Sequence, residues 1–126
     1  MYTKTWTVEL YDAFVDELLR LDQRVRVAIF ANISLLEIYG PRLGRPQVDT
    51  LAGSRYPNMK EIRITVPGGE WRVAFAFDPT RAAIVLVAGN KAGVSERLFY
   101  KRLIDNADHR YAEHLKSAER DPKRTF

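Results

Sequence analysis

The sequence predicts an α+β domain: an N-terminal strand and a helical hairpin packed on a mainly antiparallel sheet, closed by a C-terminal helix. Three observations predict it. Residues 59–78 read as two strands of a hairpin joined across Val66-Pro67-Gly68-Gly69. Trp6, Val8 and Leu10 alternate with Thr5, Thr7 and Glu9, the pattern of a half-buried strand. Phe99, Leu103, Ala107, Tyr111 and Leu115 recur at every fourth position, one apolar stripe of a helix.

Each element has a local reason. After the first strand, Asp12 is placed to cap a helix whose Phe14, Leu18 and Leu21 share a face. Asp22 opens a longer helix carrying Val25, Ile29, Ile33 and Leu36, and Gly40-Pro41 ends it. The two helices are expected as an antiparallel pair. Residues 42–55, with Pro46 and two glycines, read as a loop. The hairpin strands follow over 59–65 and 70–78, then a turn at Asp78-Pro79-Thr80-Arg81. A buried strand spans Ala83 to Ala88, broken by Gly89-Asn90-Lys91-Ala92-Gly93. The expected order is β-α-α-β-β-β-α in a single domain over residues 1–118, with a frayed tail over 119–126.

Centring the hairpin on Pro67-Gly68 sets its pairing. Ile64 faces Trp71, Ile62 faces Val73 and Lys60 faces Phe75, an apolar face that can build a core. On the other face Thr65 meets Glu70, Arg63 meets Arg72 and Glu61 meets Ala74. Two arginines directly opposite repel each other. An anion must offset them: Glu61 and Glu70 in one reading, a phosphate in the other.

Composition narrows the function classes. The chain has 126 residues, 46% hydrophobic and 29% charged, which is globular and not disordered. It has no cysteine, so disulfide and thiolate chemistry are excluded and a reducing cytoplasm is the expected compartment. The N-terminus lacks a basic-then-apolar leader pattern, and the apolar runs are too short to span a bilayer. Net charge is +4, but residues 51–102 hold nine basic and four acidic side chains. A basic zone there attracts polyanions, nucleic acid first. His109 and His114 lack partners at metal-ligand spacing, so no metal site is expected. Phosphate-cradling glycine motifs and a serine triad are absent. Lysine, arginine, tyrosine and glutamate remain as chemical tools.

Leu51-Ala52-Gly53-Ser54, Met59-Lys60-Glu61-Ile62-Arg63-Ile64, Trp71-Arg72-Val73-Ala74-Phe75, Ile84-Val85-Leu86-Val87-Ala88-Gly89-Asn90-Lys91 and Phe99-Tyr100, in this order and spacing, resemble the RelE/ParE toxin superfamily. The likeness is to its HigB-like branch, the phage-derived Gp49-like proteins, and covers about residues 5–115. One departure is that the strand end reads Gly89-Asn90-Lys91 in place of a doubled basic pair. The resemblance implies a RelE-like, microbial RNase-like fold. It also implies the toxin of a type II toxin–antitoxin module, a ribosome-dependent endoribonuclease that cuts mRNA without metal or cofactor through attack of the 2′-hydroxyl on the adjacent phosphate. The implied partners are a helix-turn-helix antitoxin of the Xre type, the ribosome and mRNA, with no membrane. A ParE-like inhibitor of DNA gyrase, or a non-catalytic nucleic-acid-binding domain, shares the scaffold and stays open.

Such cleavage needs a proton acceptor, charge stabilisation at phosphorus and a proton donor for the leaving oxygen. Arg72 and Arg63 fit a phosphate clamp, since arginine stays charged and its planar fork meets two oxygens. The alternative for Arg72 is a surface ion pair with Glu61 or Glu70. Lys91 contacts phosphate or acts as an acid, or is a solvated loop lysine. Lys60 is a further candidate, or a lysine snorkelling at the strand edge. Glu61 accepts a proton or orients the two arginines. Tyr100 stacks on a base or moves a proton, as the resemblance implies, or packs its ring beside Phe99. Arg55 and Arg97 are expected as RNA contacts or as solvated surface.

Overall fold

The computed structural model describes residues 3–120. Its elements are β1 (Thr7–Leu10), α1 (Asp12–Leu19), α2 (Gln23–Tyr39), β2 (Val48–Thr50), β3 (Met59–Val66), β4 (Gly69–Phe77), β5 (Ala82–Asn90) and α3 (Glu96–Arg120). A 3-10 turn over Gly40–Arg42 closes α2. The strands form one sheet in the order β1-β5-β4-β3-β2. Only the β1–β5 pairing is parallel, so the sheet is mainly antiparallel as expected.

The hairpin register is the one that counting from the turn predicts, with Ile64 opposite Trp71, Ile62 opposite Val73 and Arg63 opposite Arg72. Period-2 alternation then sends Ile62, Ile64, Val73 and Phe75 under α1 and α2, where they pack with Phe14, Leu18, Val25, Ile29 and Leu36. The other face receives Met59, Ala74 and Ala76 under Phe99, Leu103, Ala107 and Tyr111 of α3. The four-residue spacing of those α3 side chains is why one long, otherwise polar helix can cover that face.

Four expectations need correction. Residues 48–50 form a strand where a loop is expected; a three-residue edge strand beside Pro46 carries too little periodicity to read. Strand β5 continues through Gly89 to Asn90, past the residues that read as its breaker. Asp12 does not cap α1: it lies in the first turn, after Tyr11 at the cap position. Asp22 does cap α2, accepting from the Arg24 N–H at 2.9 Å. Helix α3 runs through Arg120, beyond the expected domain end at 118, and residues 121–126 of the expected tail lie outside the described residues.

An irregularity in β5 decides what faces α3. Ala74 pairs with Val87 but Phe75 pairs with Val85, leaving Leu86 without a partner on β4. Leu86 and Val87 both join the core under α3, while Val85 and Ala88 pack on the opposite face. The bulge thus switches the alternation of the strand partway along. Its freed carbonyl is satisfied from above: Arg110 Nη1 donates to Leu86 O at 2.8 Å. The same guanidinium grips Glu17 of α1 through two bonds of 2.8 and 2.6 Å. That contact, first through the hydrogen bonds, holds the Glu17 carboxyl below its ordinary value.

A second polar device closes the turn before β5. Asp78 Oδ1 accepts from the Thr80 N–H at 2.9 Å, the Thr80 hydroxyl at 2.7 Å and the Ala82 N–H at 3.1 Å, and Oδ2 lies 3.0 Å from His114 Nε2 on α3. Burial pushes this carboxyl up, but the hydrogen bonds outweigh it and hold it below its ordinary value. A carboxyl lowered by folding stabilises the fold above the unfolded value, near pH 4, and that stabilisation is lost as pH falls through the lower folded value. We therefore expect Asp78→Asn to cost about 2 kcal/mol at neutral pH by urea denaturation. The gap between wild type and variant should close as the pH is taken below about 4. A gap that stays constant down to acid pH rules out this role for the charge.

Candidate functional site

On the α3 face of the hairpin, pairing places the Arg63 and Arg72 side chains next to each other, with Glu61 two residues before Arg63. Glu61 is only 3% exposed. Its Oε2 accepts from Arg63 Nε at 3.3 Å and Nη2 at 3.2 Å, and its Oε1 accepts from the Tyr100 hydroxyl at 2.9 Å. Arg72 Nε stands 4.0 Å from the same Oε1 and has no hydrogen-bond partner. Arg72 is 9% exposed; its Nη1 donates to the Trp71 carbonyl at 3.0 Å and lies 3.5 Å from Glu70 Oε2. One buried carboxylate therefore organises groups from β3, β4 and α3.

Gly89 makes this meeting possible. It is the residue opposite Arg72 on β5, and the bulge has turned it toward α3. A Cβ there would sit 3.0 Å from Phe99 Cε1, closer than ordinary contact allows. Phe99 thus rests on bare backbone, which draws the first turns of α3 down and sets Tyr100 beside Glu61. The end of β5 is pinned as well: Asn90 Oδ1 accepts from the Glu70 N–H at 3.1 Å and the Ala92 N–H at 3.0 Å. Lys91 then donates its backbone N–H to Glu70 O at 2.7 Å. Its Nζ lies 2.9 Å from Glu96 Oε1 and 5.8 Å from the centre of the Tyr100 ring.

The cations of this cluster face carboxylates of unequal standing. Glu61 is buried, whereas the Glu70 and Glu96 side chains are 46% and 71% exposed. Exposed pairs contribute little and exchange readily for another anion. Arg63 also reaches Asp49 of β2 at 3.4 Å. The hydrogen bonds from Arg63 to Glu61 raise the already high Arg63 value, so this guanidinium stays charged. Burial, and then the Glu61 carboxylate acting against Arg72, raise the Tyr100 phenol above its ordinary value. At rest it is a protonated donor aimed at a carboxylate.

Six sequence candidates were expected at one centre, and five meet there: Arg72, Arg63, Glu61, Tyr100 and Lys91. Lys60 does not. One residue before Glu61, it projects from the opposite face and its Nζ donates to Thr50 Oγ1 at 3.1 Å. There it borders a hollow of about 190 Å³ with Pro41, Val48 and Phe77. Arg97 is exposed in the first turn of α3, and Arg55 is exposed on the loop before β3. Asn90 and Gly89 were not singled out by sequence reasoning. An asparagine between glycine and lysine at a strand end is a signal for a side-chain-bonded turn and could have flagged the first. A hollow of about 530 Å³ lies between the end of β1 and the later turns of α3, lined by Glu9, Tyr11, Asp12 and His114 among others, and shares no residue with the cluster. Among the described residues no group of three or more His, Asp or Glu is placed to hold a metal ion, and no helix is long and apolar enough to cross a membrane.

Residues 16–112 match the family model described as "Phage derived protein Gp49-like (DUF891)". The chain is 50% identical over 106 residues to a Mycobacterium tuberculosis protein named "Putative toxin HigB2", covering 82% of this chain and 52% of that protein. The chain thus spans about half the length of this relative. It is 43% identical over 97 residues to "Putative toxin HigB3" of the same organism, covering 77% of this chain and 82% of the relative. Among solved structures, a double-arginine mutant of Escherichia coli toxin RelE in the free state superposes with a TM-score of 0.54 at 14% identity, over 83% of this chain and 96% of that one. At that identity the likeness speaks for the fold alone.

The burial contrast in the cluster yields a stability test. Glu61→Gln leaves the buried Arg72 with only the half-exposed Glu70 as a countercharge and should cost about 3 kcal/mol. Arg63→Gln, with its side chain 43% exposed, should cost less than about 1 kcal/mol. Urea midpoints of the two variants check the ranking, and equal costs would contradict the organising role of Glu61.

Proposed function

The chain belongs to the phage-derived Gp49-like family, the HigB-like branch of the RelE/ParE toxin superfamily, and on that footing we propose that it is the toxin of a type II toxin–antitoxin module acting as an mRNA endoribonuclease on the ribosome. The observation that carries the reading is the pairing of Arg63 with Arg72 over a single buried carboxylate that also holds Tyr100. A phosphate brought to this face replaces the exposed Glu70 and Glu96 side chains and meets two planar forks already in position. Arg72 serves as the main clamp: it is buried and has an unpartnered Nε. A desolvated cation of that kind stabilises charge that develops at phosphorus.

The first proton transfer follows the Tyr100–Glu61 hydrogen bond. The 2′-hydroxyl gives its proton to the Tyr100 oxygen as Tyr100 passes its own to Glu61 Oε1 along the 2.9 Å bond. The 2′-oxygen bonds to phosphorus, the bond to the 5′-oxygen breaks, and the Lys91 ammonium protonates that leaving oxygen. The products are a 2′,3′-cyclic phosphate and a free 5′-hydroxyl. Glu61 has two tasks, orienting Arg63 and receiving a proton through Tyr100. No step calls on a metal or cofactor. Arg55 and Arg97 add RNA contacts around this centre. A single strand of RNA lies along an open basic surface of this kind. The proposed setting is the cytoplasm, with a small helix-turn-helix protein of the Xre type as the antitoxin.

Controlled expression of the wild type and Arg72→Ala, with cellular mRNA 5′ ends mapped within minutes, tests the proposal. New 5′-hydroxyl ends inside translated codons are expected for the wild type. They should fall by about 100-fold or more for Arg72→Ala, while near-UV dichroism keeps its native form. Tyr100→Phe should lose about as much. Growth arrest without new ends would transfer the target to DNA gyrase, and neither effect would leave a binding domain.

A further inference from the structure

Asp108 is a buried carboxylate that the reaction above does not use; it is 7% exposed. Both its oxygens are taken by the loop between β2 and β3. The Ser54 hydroxyl donates to Oδ1 at 2.5 Å, and the backbone N–H of Arg55 donates to Oδ2 at 3.1 Å. Ser54 Oγ in turn accepts from the Tyr56 N–H at 3.0 Å. The loop approaches α3 at Gly53, which takes a φ of +98° and where a Cβ would lie 3.2 Å from Ile104 Cδ1. On the far side of Arg55, the Tyr56 ring meets Tyr111 edge-on at 4.8 Å. The backbone is therefore fastened on both sides of Arg55.

The side chain so displayed is a largely exposed cation whose guanidinium lies 5.8 Å from the centre of the Tyr56 ring. Arg55 is 68% exposed, and its Nε stands 3.8 Å from Asp108 Oδ2, beyond a hydrogen bond. Asp108 is already satisfied by Ser54 and by the backbone, so turning the guanidinium toward another anion costs little. Tyr100, Ile104 and Asp108 are spaced by four and form one stripe of α3. Asp108 lies about 12 Å along that stripe from Tyr100, at 1.5 Å per residue. The loop residues that Asp108 and Ile104 touch lie on the same side of the sheet as Arg63 and Arg72.

We infer that Asp108 is a positioning residue: through the Ser54–Tyr56 loop it holds Arg55 as a second phosphate contact, for the RNA flanking the phosphate that reacts at Arg72 and Tyr100. This rests on the RNA-cleavage reading and deepens it. The geometry separates the two contacts by function. The Arg72 cluster acts on the reacting phosphate, and Arg55 binds equally before and during reaction, so its loss weakens binding and leaves the chemical step alone.

The test is cleavage of a defined mRNA on programmed bacterial ribosomes by the full chain, read as maximal rate and half-saturating toxin concentration. Arg55→Gln and Asp108→Asn should each raise the half-saturating concentration about tenfold, the loss of one charge-assisted contact, with the maximal rate within about twofold of wild type. The double variant should be no worse than Arg55→Gln, because Asp108 acts through Arg55. Ser54→Ala, which removes one tie of the loop, carries the same comparison should Asp108→Asn not fold. Losses that multiply in the double variant, or a fall in maximal rate with half-saturation unmoved, overturn the inference. So does an Arg55→Gln variant that matches wild type while Arg72→Ala is dead, which leaves the cleavage reading standing. A wild type that cuts no ribosome-bound mRNA removes both.

Discussion

The Glu61 carboxylate is the constraint on which the site depends. Two arginines on adjacent strands repel, and a sheet that places them together must supply a counterion that does not leave. A surface glutamate would not serve, because it exchanges with solvent ions. Glu61 is buried beneath α3 and its oxygens are divided between Arg63 and the Tyr100 hydroxyl. The same burial that makes it costly to remove makes its partners stiff. Strand, hairpin partner and helix are brought into one electrostatic unit, and the phenol and the guanidinia inherit their directions from it.

Getting Tyr100 to that carboxylate is a matter of parity. A regular β5 would have turned Gly89 to the wrong face. The unpaired Leu86 shifts the alternation by one, and Arg110 compensates the carbonyl that the shift sets free. Because Arg110 also grips Glu17, the correction is tied to α1 on the far side of the domain. The site therefore depends on an arginine that takes no part in it.

Much of this was legible and some was not, for physical reasons. The hairpin register followed from one Pro-Gly turn, since a two-residue loop leaves a single pairing. The α3 stripe was visible because five apolar residues hold a strict spacing. The facing arginines and the roles of Glu61, Tyr100 and Lys91 as neighbours followed from those two facts and the family resemblance. Of the two readings of Lys60, its contact with Thr50 matches the strand-edge lysine, the one that alternation along the strand favours by assigning it to the apolar face. Asp78 with His114, Arg110 with Glu17, and Asp108 with Ser54 were hidden, because each joins elements far apart in sequence and no local pattern announces a partner. Gly89 read as a breaker for the same reason: its purpose lies in Phe99, which arrives only in the folded chain.

The parallel pairing of β1 with β5 bears on the order of assembly. Thr7 meets Ala82, so β1 waits beside no partner until β5 exists. Closing so long a loop is slow compared with forming the β3–β4 hairpin. Of the five candidates that meet, Lys91 and Tyr100 come last in the chain. A growing chain can therefore pair Arg63 with Arg72 early, but the Tyr100 hydroxyl reaches Glu61 only once α3 lies down, so the cluster closes after the sheet beneath it has formed.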